Sequence, residues 1–192
     1  MLRRIAIALG SLGLIATAAT GTASADSPAP QLQPTGKAHS KVVTPAEAQS
    51  LAAAQGLSSV VPGVYERLEN ANSGKCLLVQ GYANGNKAVQ YDCTTFDDEY
   101  WLREGTATHF RLRNLNSQKC LVVQGGANGA QAFQYDCANY EDQYWYPKNF
   151  GYTAVGIQNW NSAKCLVAQG YGNSPVFQYD CVGLADQRWY VG

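Results

Sequence analysis

Histidine is almost missing from this chain. His39 and His109 are the only two in 192 residues. Nucleophilic catalysis needs a base within reach of its nucleophile, and two isolated histidines supply no such pair. Cysteines are present, but no CxxC spacing is, so a cysteine metal site is not expected. Charge is scarce as well, at 15% of residues, and balanced at 14 basic against 14 acidic. With no Lys/Arg run or basic arm, nucleic acid and anionic membrane are poor partners. No Gly-rich phosphate motif follows a strand and opens a helix. The adjacent carboxylates Asp97/Asp98 and Glu141/Asp142 cannot face each other across a substrate as glycosidase acids must. No catalysis, metal or cofactor is expected.

Long apolar runs are also lacking, with one exception. Arg3 and Arg4 precede an uncharged stretch from Ile5 to Thr20, and Ala23-Ser24-Ala25 forms a small-residue cleavage pattern. Residues 1–25 therefore read as a secretory signal. A membrane anchor is the rival reading, and the shortness of the stretch, its Gly10, Ser11 and Gly13, and the cleavage site disfavour it. No other run is long enough to span a bilayer. Loss of Arg3 and Arg4 leaves 12 basic against 14 acidic residues, a net charge of about −2. Residues 26–62 read as a linker. Its first part, Asp26 to Ser40, carries Pro28, Pro30 and Pro34 and cannot bury a core. Thr44-Pro45-Ala46-Glu47 is a capping box with proline at the first helical position, and Gly56 is a stop. One short helix is expected over about 45–55.

What the chain has in abundance is repetition. NSGKCLLVQG, NSQKCLVVQG and NSAKCLVAQG open on Cys76, Cys120 and Cys165, and QYDC answers each at Cys93, Cys137 and Cys181. Each unit closes on a tryptophan: Trp101, Trp145 and Trp189, spaced by 44 residues both times. The repeats run 63–106, 107–150 and 151–192. An exported chain meets oxidising conditions, where cysteines pair. Pairing within each repeat, Cys76/Cys93, Cys120/Cys137 and Cys165/Cys181, is the simplest scheme that gives three equivalent units the same bond. Each such loop is worth about 3 kcal/mol by restricting the unfolded chain. From Gly63 onward helix formers thin out, and each repeat offers four short strands separated by turn residues. In the first repeat these are Gly63–Leu68, Cys76–Gln80, Ala88–Tyr91 and Tyr100–Arg103. A propeller typically needs four or more blades. Three four-strand units instead suit a closed, all-β trefoil with pseudo-three-fold symmetry, whose closure removes exposed edges.

The motif Gln-x-Trp, in Gln143-Tyr144-Trp145 and Gln187-Arg188-Trp189, with Glu99-Tyr100-Trp101 as a variant, resembles the signature of the ricin B-type lectins and the related family 13 carbohydrate-binding modules. The Cys-Leu opening and the aromatic-x-Cys closing strand match as well, over 63–192. The resemblance implies a β-trefoil that binds glycans or a polysaccharide surface without catalysis. It also implies buried tryptophans beneath the repeats and a sugar site on the outer face of each.

The implied site combines a carboxylate two residues after the first cysteine, an aromatic two before the second, and a polar residue three before the tryptophan. The aromatics are Tyr91, Tyr135 and Tyr179. The polar residues are Asp98, Asp142 and Asp186. The carboxylate is replaced by Leu78, Val122 and Val167, and a second polar position by Val89, Phe133 and Phe177. Gln90, Gln134 and Gln178 stand one place further on, which turns them to the opposite face, inward. Two readings stay open. In one, Gln80, Gln124 and Gln169 join the tyrosines and aspartates in three rebuilt carbohydrate sites. In the other, the trefoil has lost sugar binding and meets a protein partner, as a protease inhibitor or toxin accessory subunit does. Lys75, Lys119 and Lys164 read as solvated, and Asp92, Asp136 and Asp180 as loop braces.

Overall fold

The computed structural model describes residues 39–192. The expected signal, 1–25, and the linker as far as residue 38 lie outside the described residues. Strand β1 (Ser40–Val43) and helix α1 (Pro45–Gln55) precede the first repeat, which holds β2 (Gly63–Asn70), β3 (Cys76–Val79), β4 (Ala88–Tyr91) and β5 (Tyr100–Gly105). The second holds β6 (Phe110–Asn114), β7 (Cys120–Val122), β8 (Phe133–Tyr135) and β9 (Trp145–Lys148). The third holds β10 (Gly156–Asn159), β11 (Cys165–Ala168), β12 (Ser174–Tyr179) and β13 (Trp189–Val191). A short 3-10 turn leads into the last strand of each repeat: Asp97–Glu99, Glu141–Gln143 and Ala185–Gln187.

Six strands close a barrel in the order β13-β2-β5-β6-β9-β10, and a bridge from Val155 to Trp189 completes the ring. The other six form the hairpins β3–β4, β7–β8 and β11–β12. These meet where Ser174 and Pro175 pair with Gln90 and Val89, and at the bridges Lys87–Phe133 and Gln131–Phe177. The result is a β-trefoil. Period-two alternation turns Leu77/Val79, Leu121/Val123 and Leu166/Ala168 into the core, all fully buried. The tryptophans Trp101, Trp145 and Trp189 lie there too, each indole N–H donating to a carbonyl of the neighbouring hairpin: Leu77, Leu121 and Leu166, at 3.0, 3.2 and 3.1 Å. A buried indole satisfied in this way keeps its apolar surface without leaving a donor unpaired. The three disulfides join Cys76–Cys93, Cys120–Cys137 and Cys165–Cys181.

The inward glutamines lock the hairpins together. Gln134 of repeat two donates to the carbonyls of Gly81 and Ala83 in repeat one, at 3.0 and 3.1 Å. Gln178 of repeat three donates to Gly125 and Ala127 in repeat two, at 2.9 and 3.1 Å. Gln90 of repeat one closes the circle on Gly172 and Ser174 in repeat three, at 3.0 and 2.9 Å. Each glutamine oxygen accepts from a serine hydroxyl of its own repeat, Ser73, Ser117 or Ser162, at 2.6 Å. The turns so held begin with Gly81, Gly125 and Gly170, at φ of 78, 76 and 78°. That left-handed backbone favours glycine because a Cβ there crowds the residue's own following carbonyl.

Residues 39–62 do more than the linker reading anticipated. Val43, Ala48, Ala52 and Val60 close over Tyr65, Tyr100 and Leu115 in a second apolar cluster. The helix has the expected bounds, with Thr44 and Glu47 in a reciprocal cap and Gly56 left-handed at its end. Strand β1 was not foreseen. It ladders on β2 from Ser40 opposite Glu66 to Val43 opposite Gly63, and Ser-Lys-Val-Val is too short to announce itself by alternation.

Two consequences are measurable. Gln134→Leu leaves two turn carbonyls and a serine hydroxyl without their partner, and should lower the unfolding free energy by about 2–3 kcal/mol, read from the denaturant midpoint at unchanged slope. Ala163 sits at φ 56° without a side chain that gains from it, so Ala163→Gly should raise stability by about 1 kcal/mol in the same assay.

Candidate functional site

The outer face of each hairpin repeats one arrangement. Tyr91, Tyr135 and Tyr179 end β4, β8 and β12 opposite the first cysteine of each repeat. They are 44, 46 and 44% exposed, so each presents a ring to solvent. The next residue is an aspartate held by a lysine: Asp92 by Lys75, Asp136 by Lys119 and Asp180 by Lys164. Those lysines were expected to be solvated. Their side chains are instead largely covered, at 13, 18 and 16% exposure, because each stem lies along the hairpin to reach its partner. Two aspartates are also tied to the preceding repeat, Asp136 by Asn84 at 2.7 Å and Asp180 by Asn128 at 2.8 Å. The lysine hydrogen bond, with the asparagine second, holds both carboxyls below the ordinary range.

Two residues along the strand the chemistry turns apolar. Leu78, Val122 and Val167 are only 3, 2 and 1% exposed. They pair across the hairpin with Val89, Phe133 and Phe177, and the Lys87 ammonium sits 5.0 Å over the Phe133 ring. The residues that replaced the carboxylate are thus closed into side-chain contacts. Beyond them come Gln80, Gln124 and Gln169, all exposed. Gln80 follows β3 four residues after Cys76, the partner of Tyr91. At about 3.3 Å per residue that separates the two by roughly 13 Å. The glutamines and tyrosines stand at opposite ends of each hairpin and do not meet around a single sugar ring.

Asp98, Asp142 and Asp186 lie in the 3-10 turns, which pack against β3, β7 and β11. All three are half-buried, and burial raises their carboxyls above the ordinary range, with the charge of Glu99 adding to the effect at Asp98. Asp142 Oδ1 and Asp186 Oδ1 are covered and without a hydrogen-bond partner. The turns are fixed by Asn70, Asn114 and Asn159, whose amides donate to the carbonyls of Asp186, Asp98 and Asp142 at 2.9, 2.8 and 2.9 Å. Asn114 and Asn159 reach back into the preceding repeat, and Asn70 reaches ahead to the third. The triplicated Asn-x-Asn-Ser before each x-Lys-Cys opening was the available signal, since short polar side chains that bond their own backbone mark turns.

The signature glutamines are buried braces. Gln143 accepts from Ala138 N at 2.8 Å and donates to Asp136 O at 2.9 Å, and Gln187 spans Val182 N and Asp180 O at 2.8 and 2.7 Å. Glu99 lacks the donor. It accepts from Thr94 N at 2.7 Å, and Arg67, 3.8 Å away, balances its charge while donating to the Thr94 carbonyl, as Arg111 donates to the Ala138 carbonyl in the second repeat.

Residues 64–189 match the model of the ricin-type β-trefoil lectin domain. No curated protein matches the chain. Among solved structures it is similar to the designed three-fold symmetric protein ThreeFoil, at 25% identity and a TM-score of 0.63 over 66% of this chain and 96% of that one. It is also similar to the hemolytic lectin CEL-III, at 29% identity and a TM-score of 0.56, over 66% of this chain and 29% of that one. A Polyporus squamosus lectin, solved with a sialylated epitope, shares the fold at 16% identity and a TM-score of 0.59, over 67% of this chain and 48% of that one.

The buried aspartates set a pH test. A carboxyl raised by burial stabilises the fold while protonated, and that contribution is lost as pH rises through the folded-state value. Asp142→Asn should therefore raise the denaturation midpoint at pH 7, and the advantage should disappear once the pH falls below the ordinary carboxylate range.

Proposed function

Since the chain belongs to the ricin-type β-trefoil lectin family, we propose that it is a secreted glycan-binding module with three related outer sites and no catalytic role. The carrying observation is the recurrence, on all three hairpins, of an exposed tyrosine of nearly equal exposure beside a braced Lys–Asp pair. A tyrosine ring offers an apolar face for the C–H side of a pyranose, and its hydroxyl can still bond water or ligand. Asp98, Asp142 and Asp186 serve as acceptors for sugar hydroxyls, charge-assisted where ionised. Gln80, Gln124 and Gln169 contribute at the far end of the hairpin, to an oligosaccharide longer than one ring. Because Leu78, Val122 and Val167 withdraw the deepest acceptor, each site is shallow. A single site of this kind binds in the millimolar range, about −4 kcal/mol. Useful affinity comes from engaging several sites on one glycan surface. Secretion is supported by the three disulfides, which persist in oxidising surroundings.

A second reading has its own support. Phe96, Tyr140 and Leu184, one before each 3-10 turn, are 70, 69 and 61% exposed. Three projecting apolar side chains next to apolar hairpin faces would suit a protein-binding trefoil of the inhibitor or toxin-accessory kind.

A glycan array with the disulfide-intact chain separates the two. Tyr91→Ala, Tyr135→Ala and Tyr179→Ala should each reduce binding to a polyvalent glycan, and the triple variant should lose it at unchanged thermal stability. Silence across hexoses, pentoses and polymers, with a stoichiometric protein complex abolished by Phe96→Ser and Tyr140→Ser, would establish the second reading instead.

A further inference from the structure

The three repeats give the barrel three pseudo-equivalent outer walls. Their correspondence is fixed by one repeated backbone bond, Leu115 N to Tyr100 O, Trp160 N to Tyr144 O and Ala71 N to Arg188 O, each 2.8 Å. The ladders extend it, since Glu66 pairs with Trp101 where Phe110 pairs with Trp145 and Val155 with Trp189. The first wall is Tyr65, Tyr100, Leu102 and Leu115, and α1 with its flanks seals it. The third is Ala154, Arg188, Tyr190 and Ala71, where Tyr152 lies 3.7 Å from the Arg188 guanidinium. The second is His109, Tyr144, Tyr146 and Trp160. It is aromatic at every position, and among the described residues no helix or strand is laid across it. Trp160 is 50% exposed, although the other three tryptophans of the chain are fully buried.

This wall is ordered without a cover. His109 stacks on Tyr144 with ring centres 4.5 Å apart at 24°, and Trp160 leans on His109 at 4.6 Å and 47°. Tyr146 meets Trp160 edge-on at 5.9 Å and 83°. Arg111 sits 5.5 Å over the Tyr144 ring. The indole is held on two sides and keeps one side to solvent, so presenting it costs little further ordering. The surroundings are polar as well as aromatic. Gln158 stands opposite Tyr146 on β10, and its Oε1 and His109 Nε2 are covered and without a hydrogen-bond partner just beneath the rings. A ligand with an apolar face and a rim of hydroxyls would stack on the indole and keep its own hydrogen bonds to water at the edge. That description fits a pyranose ring.

We propose that the His109–Tyr144–Tyr146–Trp160 wall is a fourth carbohydrate site, separate from the hairpins, in which a sugar ring stacks on Trp160. It rests on the reading of the chain as a glycan binder, but not on the hairpin tyrosines. Trp160 is its own reporter, because a quencher such as acrylamide reaches it and not the three core indoles. The disulfide-intact chain is titrated with β-linked glucose, galactose, xylose and N-acetylglucosamine oligosaccharides while quenching is followed, with calorimetry in parallel. The expected result is that a bound oligosaccharide shields Trp160, and that shielding survives in the Tyr91→Ala/Tyr135→Ala/Tyr179→Ala variant. Trp160→Ala, with unchanged circular dichroism, should weaken calorimetric binding about tenfold, and Trp160→Phe should restore part of it. Calorimetric binding that leaves Trp160 fully quenchable, with Trp160→Ala binding as well as the parent, overturns the fourth site and leaves the hairpin reading standing. No binding of any glycan by the parent chain overturns both. Shielding of Trp160 by rising protein concentration alone, with a dimer in sedimentation, overturns it in favour of a contact between copies.

Discussion

Every hairpin of this trefoil is held by a glutamine that belongs to another repeat. The side chains of Gln90, Gln134 and Gln178 are fully buried, and each spans from a serine of its own unit to the turn of a neighbour. Buried amides are costly unless every donor and acceptor is met, and here they are met only when all three repeats are in place. The asparagine ring of Asn70, Asn114 and Asn159 runs alongside and fixes the 3-10 turns. The hydrophobic core supplies the drive to close. These two polar rings define which closed arrangement is adopted, and so where each outer tyrosine stands.

Much of this was legible before any coordinates. The triplicated Cys, Gln-Tyr-Asp-Cys and Trp motifs gave the trefoil, the three disulfides and the inward glutamines, because a period-two strand has only two faces and a one-place shift must change face. The capping box gave α1 to the residue. Three things were hidden. Strand β1 is specified by pairing with β2 and not by its own pattern. The lysines look solvated in sequence, and only the ladder that sets Lys75 beside Asp92 turns them into braces. The gap between Gln80 and Tyr91 follows from counting along an antiparallel register, which short polar motifs do not reveal by themselves.

The departures from symmetry carry as much information as the repeats. Glu99 stands where Gln143 and Gln187 donate, and Arg67 balances its charge. Gln118 tolerates a left-handed backbone and uses its side chain to hold Val61 N at 2.9 Å and Leu115 O at 2.9 Å, tying the N-terminal segment to the second repeat. His109 and Trp160 likewise differ from their counterparts, which are Tyr65 and Ala154 for the histidine and Leu115 and Ala71 for the tryptophan. The repeats thus differ in their turns and on the barrel walls, where side chains point away from the shared core.

The glutamine ring also has a temporal side. Gln134 and Gln178 reach back 51 to 53 residues, but Gln90 must wait for partners 79 to 84 residues ahead. Gln134 can therefore clasp the first hairpin once the second repeat has emerged, but Gln90 stays without its partners until the third has. Contacts this distant along the chain slow folding, because the entropy of closing long loops is lost before the contacts repay it. The disulfides span only 16 or 17 residues and can close locally. They hold each unit in outline during the interval in which its neighbours are still missing.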